Sequence, residues 1–353
     1  MTLEPAGETN EMAMPDQDET PVGGRLWGPP GKHYGGALLF DPERGETVLE
    51  PEAPGAGYWV GAPSILWDAD RNSYLLTYRR RRPRGVDPDR GYVAHVAKSR
   101  DGKRFETIWT VEKSVFGTTS MEKFCLAREP GGPYRLYACY VDPADNRWRI
   151  DVLEADRPEE FDPATARAAL TAASTGTEGV KDPWVFSLGG LWHMLASFAA
   201  PRPVDELTRR RMHATADVYN TGVLVAPTGL ATSEDGVSWE WRGEVFGVGP
   251  AGAWDAYQAR LGCLMYRSPI WLGYYDGSAS VRENYEERCG LAYSFDLRRW
   301  ERATPMGPAL VSPHGSGSLR YVDVIPRQGS LHFYYEYARP DGSHELRRNV
   351  VSS

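Results

Sequence analysis

The sequence has no long apolar run. No segment approaches the roughly 20 consecutive apolar residues that a membrane-spanning helix needs, so no membrane partner is predicted. The N-terminal segment is acidic and lacks the apolar stretch of a secretory signal. We therefore expect a cytoplasmic protein with a disordered acidic tail over residues 1–25 and a single folded domain over residues 26–353.

Cysteine and histidine are also scarce. Cys125, Cys139, Cys263 and Cys289 show no metal-ligand spacing, and free buried thiols are expected in a reducing compartment. The histidines show no ligand pattern either, so no metal or cofactor is predicted. A structural Ca²⁺ in the central funnel is an alternative that no feature of the sequence supports. The net charge of −8 argues against a nucleic-acid partner, because the phosphate backbone demands a basic surface.

Long helical patterns are rare, and short strands separated by turns take their place. A similar hairpin occurs four times, as AKSRDGKRFE from Ala97, LEADRPEEFDP from Leu153, LATSEDGVSWEW from Leu230 and LAYSFDLRRWER from Leu291. Each copy has a small-residue strand end, a tight turn and an aromatic residue that opens the next strand. A repeat of this length with about four strands is typical of a β-propeller blade.

A further strand precedes each hairpin unit and is expected to lie innermost. The five inner strands are GAPSILW from Gly61, MEKFCLA from Met121, KDPWVFS from Lys181, WDAYQARLG from Trp254 and RYVDVIP from Arg320. They predict an all-β fold, a five-bladed β-propeller with four antiparallel strands per blade. The segment from Gly36 to Glu50 is predicted to supply the last outer strand and close the ring. A pair of β-sandwiches is the alternative.

Alignment of the inner strands places one residue per blade at the same height around the axis. These residues are Ala62, Glu122, Asp182, Asp255 and Tyr321. Carboxylates buried together raise one another's pKa, an arrangement that sequences avoid unless the acidity is used. Glu122, Asp182 and Asp255 are therefore predicted to be catalytic, although a single inner-strand carboxylate is usually a turn cap or a salt bridge.

Other side chains near this ring are predicted to bind substrate. Two residues further along the same strands, Phe124, Trp184 and Tyr257 are expected to form an aromatic platform for a sugar ring, or else to pack around the axis. The predicted set is completed by Arg79, Lys123, Lys181, Arg260, Tyr321 and Asp323. The run Arg79–Arg82 is interpreted as a solvated loop, with an anion site as the alternative.

Three long connections are expected to overhang the carboxylates. They are Arg80–Gly91, Ala199–Gly222 and Gly277–Cys289, and the middle one is predicted to carry a helical turn. Each joins the second strand of a blade to the third, at the end where the inner strand begins. Long loops inside compact domains are commonly lids or binding loops.

These segments resemble the five-bladed propeller glycosidases, the superfamily that includes glycoside hydrolase families 43, 32, 68, 62 and 130. GAPSILWDADRNSYLLTY is similar to their first blade, VKDPWVF to a third-blade motif, and ATSEDGVSWEW to their recurrent hairpin. The resemblance extends from about Gly36 to the C-terminus. It implies that Asp182 tunes acidity or stabilises the transition state and that Asp255 is the general acid. Ala62 stands where the superfamily has an acid on the first blade.

The resemblance implies a glycoside hydrolase-like enzyme with an inverting mechanism in a central funnel. Glu122 or Asp182 would be the general base and Asp255 the general acid, with the carboxyls about 6.5–9.5 Å apart to admit a water. Because Ala62 replaces the first-blade acid, two alternatives stay open. One is phosphorolysis, which needs a bound phosphate and a single protein acid; the other is a non-catalytic propeller that binds a carbohydrate. The sugar and the oligomeric state are left open.

Overall fold

The structure, a computed structural model, describes residues 33–34 and 37–352. Within them the chain is all-β with few helices. The tail predicted over residues 1–25 lies outside the described residues. A search of the described residues finds no helix with the length and apolar character to span a membrane.

The strands form a short hairpin and five four-stranded units. The hairpin pairs β1 (His33–Tyr34) with β2 (Ala37–Leu38), and β3 (Glu46–Leu49) follows. Unit 1 contains β4 (Trp59–Asp68), β5 (Ser73–Arg82), β6 (Arg90–Ser99) and β7 (Glu106–Glu112). Unit 2 contains β8 (Cys125–Ala127), β9 (Tyr134–Val141), β10 (Trp148–Ala155) and β11 (Arg167–Leu170). Unit 3 contains β12 (Val180–Leu188), β13 (Leu191–Phe198), β14 (Thr228–Ser233) and β15 (Glu240–Phe246).

Units 4 and 5 complete the set. Unit 4 contains β16 (Gln258–Arg267), β17 (Ile270–Ser278), β18 (Arg288–Ser294) and β19 (Glu301–Arg302). Unit 5 contains β20 (Leu319–Arg327), β21 (Ser330–Ala338), β22 (His344–Ser352) and, from the other end of the chain, β3. Two short α-helices are present, α1 (Ala172–Thr175) and α2 (Glu206–Ala214). Single-turn 3-10 helices span Pro42–Arg44, Lys113–Phe116, Pro163–Thr165, Val218–Asn220 and Val281–Glu283.

The N-terminal strand β3 supplies the outer strand of unit 5. It pairs antiparallel with β22, so the predicted pairing of the Gly36–Glu50 segment with the last unit is confirmed. Just before it, the ring of Phe40 packs against Phe333 and Tyr335, with centroids 4.7 and 4.9 Å away. This packing anchors the N-terminal segment, because buried aromatic rings contribute large apolar area.

The first strands of the five units contact one another in a closed cycle. β4 contacts β8, β8 contacts β12, β12 contacts β16, β16 contacts β20, and β20 contacts β4. Five hydrophobic clusters accompany this cycle, each lying between neighbouring units. The four cysteines are free and buried among the strands, as predicted.

A recurrent bulge sets the register of the first strands. In units 1, 3 and 5 the pairing shifts at Ala62, Asp182 and Tyr321, whose φ angles are 52°, 58° and 53°. The left-handed region is uncommon for non-glycine residues. Because the same conformation recurs at the same place in three units, it is a property of the repeated unit and not of one side chain.

The observed strand pairing corrects the alignment that the sequence suggested. Glu122 donates its backbone N–H to Cys139 O and is therefore equivalent to Lys181, one position before Asp182. β16 begins at Gln258, so Asp255 lies three residues before the strand to which it was assigned. The sequence pattern alone does not fix these registers, because short strands can be aligned with one another one residue out of step.

Candidate active site

The run Arg79–Arg82 lies within strand β5 and is not a solvated loop as predicted. Alternation along the strand turns Arg79 and Arg81 towards the axis, where they are only 1% and 6% exposed. Arg80 and Arg82 point away and contact Glu50 and Glu52. Two of the four arginines therefore enter the site.

Glu122 is held by the two inward arginines. Arg79 Nε donates to Glu122 Oε2 at 3.0 Å, and Arg81 Nη1 donates to Oε1. Burial raises the pKa of Glu122, but Arg81 and Arg79 lower it by more, so it lies far below its ordinary value of 4.5. The carboxylate is therefore ionised near neutral pH.

Asp182 lies in the same network on the bulge of β12. Arg260 Nη1 donates to its Oδ2 at 2.6 Å, and Lys181 Nζ lies 3.6 Å from that oxygen. The Tyr321 hydroxyl is 3.5 Å from both carboxylate oxygens. Asp182, Lys181, Arg260 and Tyr321 were all predicted as site residues, and the structure brings them together.

Three further carboxylates of this network were missed by the sequence reasoning. Asp276 accepts from Arg260 Nη2 at 2.7 Å. Glu287 and Glu336 each accept from Arg320, both at 2.7 Å. A signal was available, since Arg79, Asp276 and Glu336 occupy equivalent positions opposite the first-strand bulge and all are charged.

These side chains form one buried charge network, called the axial cluster below. Its members are Arg79, Arg81, Glu122, Lys181, Asp182, Arg260, Asp276, Glu287, Arg320, Tyr321 and Glu336. Five carboxylates face five cations, and none of these residues is more than 6% exposed. Charges are buried at this depth only when they are paired, so the balance is what allows the cluster to exist.

The carboxyls of the axial cluster differ in pKa because their surroundings differ. Burial raises the pKa of Glu287, but Arg320 and Arg260 lower it by more, to about 2. The pKa of Glu336 also lies well below its ordinary value, because Arg320 and Arg79 outweigh burial. The pKa of Asp276 is raised, because burial outweighs the attraction of Arg260. The cluster thus holds both firmly ionised carboxylates and one that retains its proton more readily.

Asp255 is not connected to the axial cluster by any contact among the described residues. Its Oδ2 accepts from Arg302 Nε at 2.6 Å and from the Tyr275 hydroxyl at 3.2 Å. The side chain is fully buried beside Gly249, in the connection between β15 and β16. The arrangement is that of a buried structural ion pair, and the alignment that placed Asp255 on the ring is corrected.

Trp184 and Asp323 lie towards the opposite end of the first strands. Trp184 Nε1 donates to Asp323 Oδ1 at 3.1 Å. Both line a cavity of about 220 Å³ together with Ser64 and Cys125. Lys123 Nζ donates to Gly262 O at 3.1 Å. Trp184 and Asp323 are therefore separated along the strands from Glu122 and Asp182, whereas the Lys123 backbone N–H donates to Asp182 Oδ1 at 3.4 Å.

The predicted aromatic platform of Phe124, Trp184 and Tyr257 is not formed. Phe124 is buried in the hydrophobic cluster between units 1 and 2. The Tyr257 hydroxyl donates to Tyr219 O at 2.7 Å. The register explains the difference, because Cys125 and Cys263 occupy the positions that were assigned to Phe124 and Tyr257.

The predicted loops do lie over the axial cluster. The connections span residues 83–89, 199–227 and 279–287, and the middle one contains helix α2, as predicted. Rings from two of them contact Lys181, with Nζ 4.5 Å from the Tyr219 centroid and 5.1 Å from the Tyr285 centroid. Among the described residues, no group of three or more His, Cys, Asp or Glu side chains is placed to hold a metal ion.

No protein-family model matches the sequence, and no curated protein is similar to it. Solved structures do share the fold. A glycosyl hydrolase from Bacteroides ovatus is 13% identical with a TM-score of 0.59, over 86% of this chain and 85% of that chain. A β-1,2-mannobiose phosphorylase from Listeria innocua, bound to β-1,2-mannobiose, is 15% identical with a TM-score of 0.57, over 87% and 94%.

A GH43_1 enzyme from Xanthomonas citri, bound to xylotriose, is 14% identical with a TM-score of 0.57, over 87% of this chain and 90% of that chain. Identities this low carry information about the fold alone. The chain therefore has the fold of the β-propeller glycosidases, which confirms the resemblance seen in its sequence.

Proposed function

We propose that this chain is a five-bladed β-propeller enzyme that cleaves a glycosidic bond at the axial cluster. The observation that carries the proposal is the position of Asp182. This carboxyl lies in a buried network with Arg260, Lys181 and the Tyr321 hydroxyl, beneath the long loops. The closed cycle of five first strands and the shared fold support the same proposal.

Asp182 is the proton donor in this proposal, which requires it to be protonated when the sugar is bound, and Glu122 is the base that activates water. In the unliganded protein Arg260 and Lys181 contact the Asp182 carboxylate. Glu122 cannot donate a proton near neutral pH, because Arg81 and Arg79 hold its pKa far below the ordinary range. Inverting hydrolysis assigns the two carboxyls opposite roles on the two faces of the sugar. Asp255 has no role here, since its carboxylate is paired with Arg302.

Phosphorolysis is the second candidate, and unpaired donors favour it. Arg79 Nη1, Arg81 Nε and Lys181 Nζ are buried and make no hydrogen bond within the described residues. Such donors suit an anion with several acceptor oxygens, such as phosphate. An attacking phosphate is itself the nucleophile, so this reaction would need no general base.

The test is turnover of a panel of aryl glycosides, with and without inorganic phosphate, by the native chain and by Asp182→Asn. Loss of a general acid slows substrates with poor leaving groups by roughly a hundred- to ten-thousandfold and spares activated dinitrophenyl glycosides. Asp151→Asn is the control, because Asp151 is equally buried but lies outside the axial cluster. Its rates should match those of the native chain.

Four outcomes separate the candidates and test the role of Asp182. Turnover that does not need phosphate supports hydrolysis, and turnover that requires it supports phosphorolysis. An Asp182→Asn variant that loses both classes of substrate equally would contradict the role of proton donor. Saturable sugar binding without any turnover would overturn the enzyme proposal in favour of a binding propeller, in which Ala62 records lost catalysis.

A further inference from the structure

The three long loops over the axial cluster meet at one carboxylate. Asp217 lies in the 199–227 connection of unit 3 and is 1% exposed. Its Oδ1 accepts from the Tyr285 hydroxyl, which belongs to the 279–287 connection of unit 4. Its Oδ2 accepts from Arg84, in the 83–89 connection of unit 1. A single side chain therefore joins loops from three units.

Neighbouring contacts reinforce this junction. Arg90, 4% exposed, donates from Nη2 to Ala216 O at 2.8 Å and lies 3.8 Å from Asp217 Oδ2. Asn284 Nδ2 donates to Tyr219 O at 2.9 Å. The Asn284 bond joins loops of units 3 and 4, and the Arg90 contacts join the start of β6 in unit 1 to the loop of unit 3, so both depend on the loops being closed.

Two residues beside Asp217 adopt a conformation that is costly for side chains with a Cβ. Ala216 has φ 50° and Tyr285 has φ 72°, both in the left-handed region. Such residues persist only where surrounding contacts over-determine them. Here the contacts are the Tyr285 hydroxyl on Asp217 and the Tyr285 N–H on Glu287 Oε1 at 3.1 Å.

The junction lies directly above the reactive part of the axial cluster. Tyr285 places its ring over both Lys181 and Arg81, with the Arg81 guanidinium carbon 4.8 Å from the centroid. Beneath it, Glu122 is fully buried and Asp182 is 1% exposed. On this side of the ring Tyr285 and the segment around Asp217 cover these carboxylates, so both must move for a sugar to enter between the loops.

We propose that Asp217 is the latch of a three-part lid, and that the closed state seen here opens by release of Tyr285 and Arg84 from this carboxylate. The functional meaning of opening rests on the proposed function, because it admits a glycoside to the axial cluster. The latch itself does not depend on the proposed function, since it concerns the equilibrium between closed and open loops in the unliganded protein.

The test is hydrogen exchange of the unliganded protein, read by mass spectrometry. Two variants weaken the latch to different degrees: Asp217→Asn removes the charge, and Tyr285→Phe removes one hydroxyl. Asp151→Asn is the matched control, because Asp151 accepts from the Tyr140 hydroxyl at 2.6 Å and from Arg149 Nε at 2.8 Å within one sheet. It reproduces the chemistry of the latch without joining loops.

In Asp217→Asn, peptides covering residues 214–222 and 280–287 should exchange roughly ten- to a hundredfold faster, the effect of losing charge-assisted hydrogen bonds on local opening. Peptides of β9 and β10 should be unchanged. Tyr285→Phe should give a smaller increase in the same peptides, and Asp151→Asn should give none there.

Two results would overturn the latch. One is unchanged exchange of both lid segments in Asp217→Asn and Tyr285→Phe. The other is acceleration spread evenly over all five units, which indicates global destabilisation. No substrate is used, so a native chain without glycosidase activity would refute the proposed function and leave this result standing.

Discussion

The Nε atom of Arg79 lies 3.0 Å from Oε2 of Glu122, and both side chains are buried at the axis. The same guanidinium reaches Glu336 Oε2 with Nη2 at 3.2 Å. Arg79 thus links a carboxylate of unit 2 to one of unit 5. Stability and site geometry are coupled through this link, because removal of one member leaves the others buried without compensation.

Arg79→Met should destabilise the protein by about 3–5 kcal/mol, since it leaves Glu122 and Glu336 each short of a buried cation. The double variant with Glu122→Gln should lose less than the sum of the two single losses, because the uncompensated carboxylate is gone. Urea unfolding of the four proteins (native, the two single variants and the double variant) measures this coupling.

The control is Arg242→Met, which breaks an exposed pair with Glu240 and should cost less than about 1 kcal/mol. Additive losses for Arg79 and Glu122 would contradict the coupling.

Local sequence signals predicted the units and loops well. Strand alternation, turn residues and the repeated hairpin are encoded within a few residues, so the five inner strands and the N-terminal strand of unit 5 could be located. The lengths of the connections predicted the loops over the site. These features do not depend on how the ring closes.

The charge pairing could not be predicted in the same way. Glu122 is equivalent to Lys181, one position before Asp182, and the late start of β16 leaves Asp255 outside the network. Glu336 meets Arg79 only because unit 5 returns to unit 1, a contact between distant parts of the sequence. The arginine run looked solvated because its composition is polar, although strand alternation buries half of it.

Glu287 should make stability depend on pH in the acid range. Its pKa falls from the ordinary 4.5 to about 2, because Arg320 and Arg260 outweigh burial. A lowered folded-state pKa gives stability that is complete above the unfolded value and lost as the pH falls from about 4.5 towards 2, at up to about 1.4 kcal/mol per pH unit. The Glu287→Gln variant should therefore lack the part of the pH dependence of the unfolding free energy that Glu287 contributes.

The measurement is the free energy of unfolding in urea of the Glu287→Gln variant and of the native chain. Both are measured at several pH values between about 5 and 2.5, the range in which carboxylates titrate. Glu240→Gln, at an exposed carboxylate, should leave the native slope. A Glu287→Gln curve parallel to the native one would show that the Arg320 pair does not control acid stability.

The close approach of Glu336 to Gly61 gives the last prediction. A Cβ at residue 61 would lie 2.2 Å from Glu336 Oε2 and 2.6 Å from its Cδ. Glu336 cannot easily withdraw, because Arg320 Nη2 binds it at 2.7 Å and the Ala62 N–H donates to it at 3.1 Å. Here a carboxylate from unit 5 occupies the space beside the first strand of unit 1.

Gly61→Ala should therefore displace Glu336 and destabilise the protein by roughly 1–3 kcal/mol, the usual cost of overpacking. Gly307→Ala is the matched control, since an added Cβ there meets no atom within 4 Å, and its effect should stay within about 0.5 kcal/mol. Adding Glu336→Gln to the Gly61→Ala variant should restore little of the lost stability. The steric conflict persists in the double variant, and Arg320 loses its charged partner. Recovery of full stability in that double variant would show that charge, and not space, excludes a side chain at residue 61.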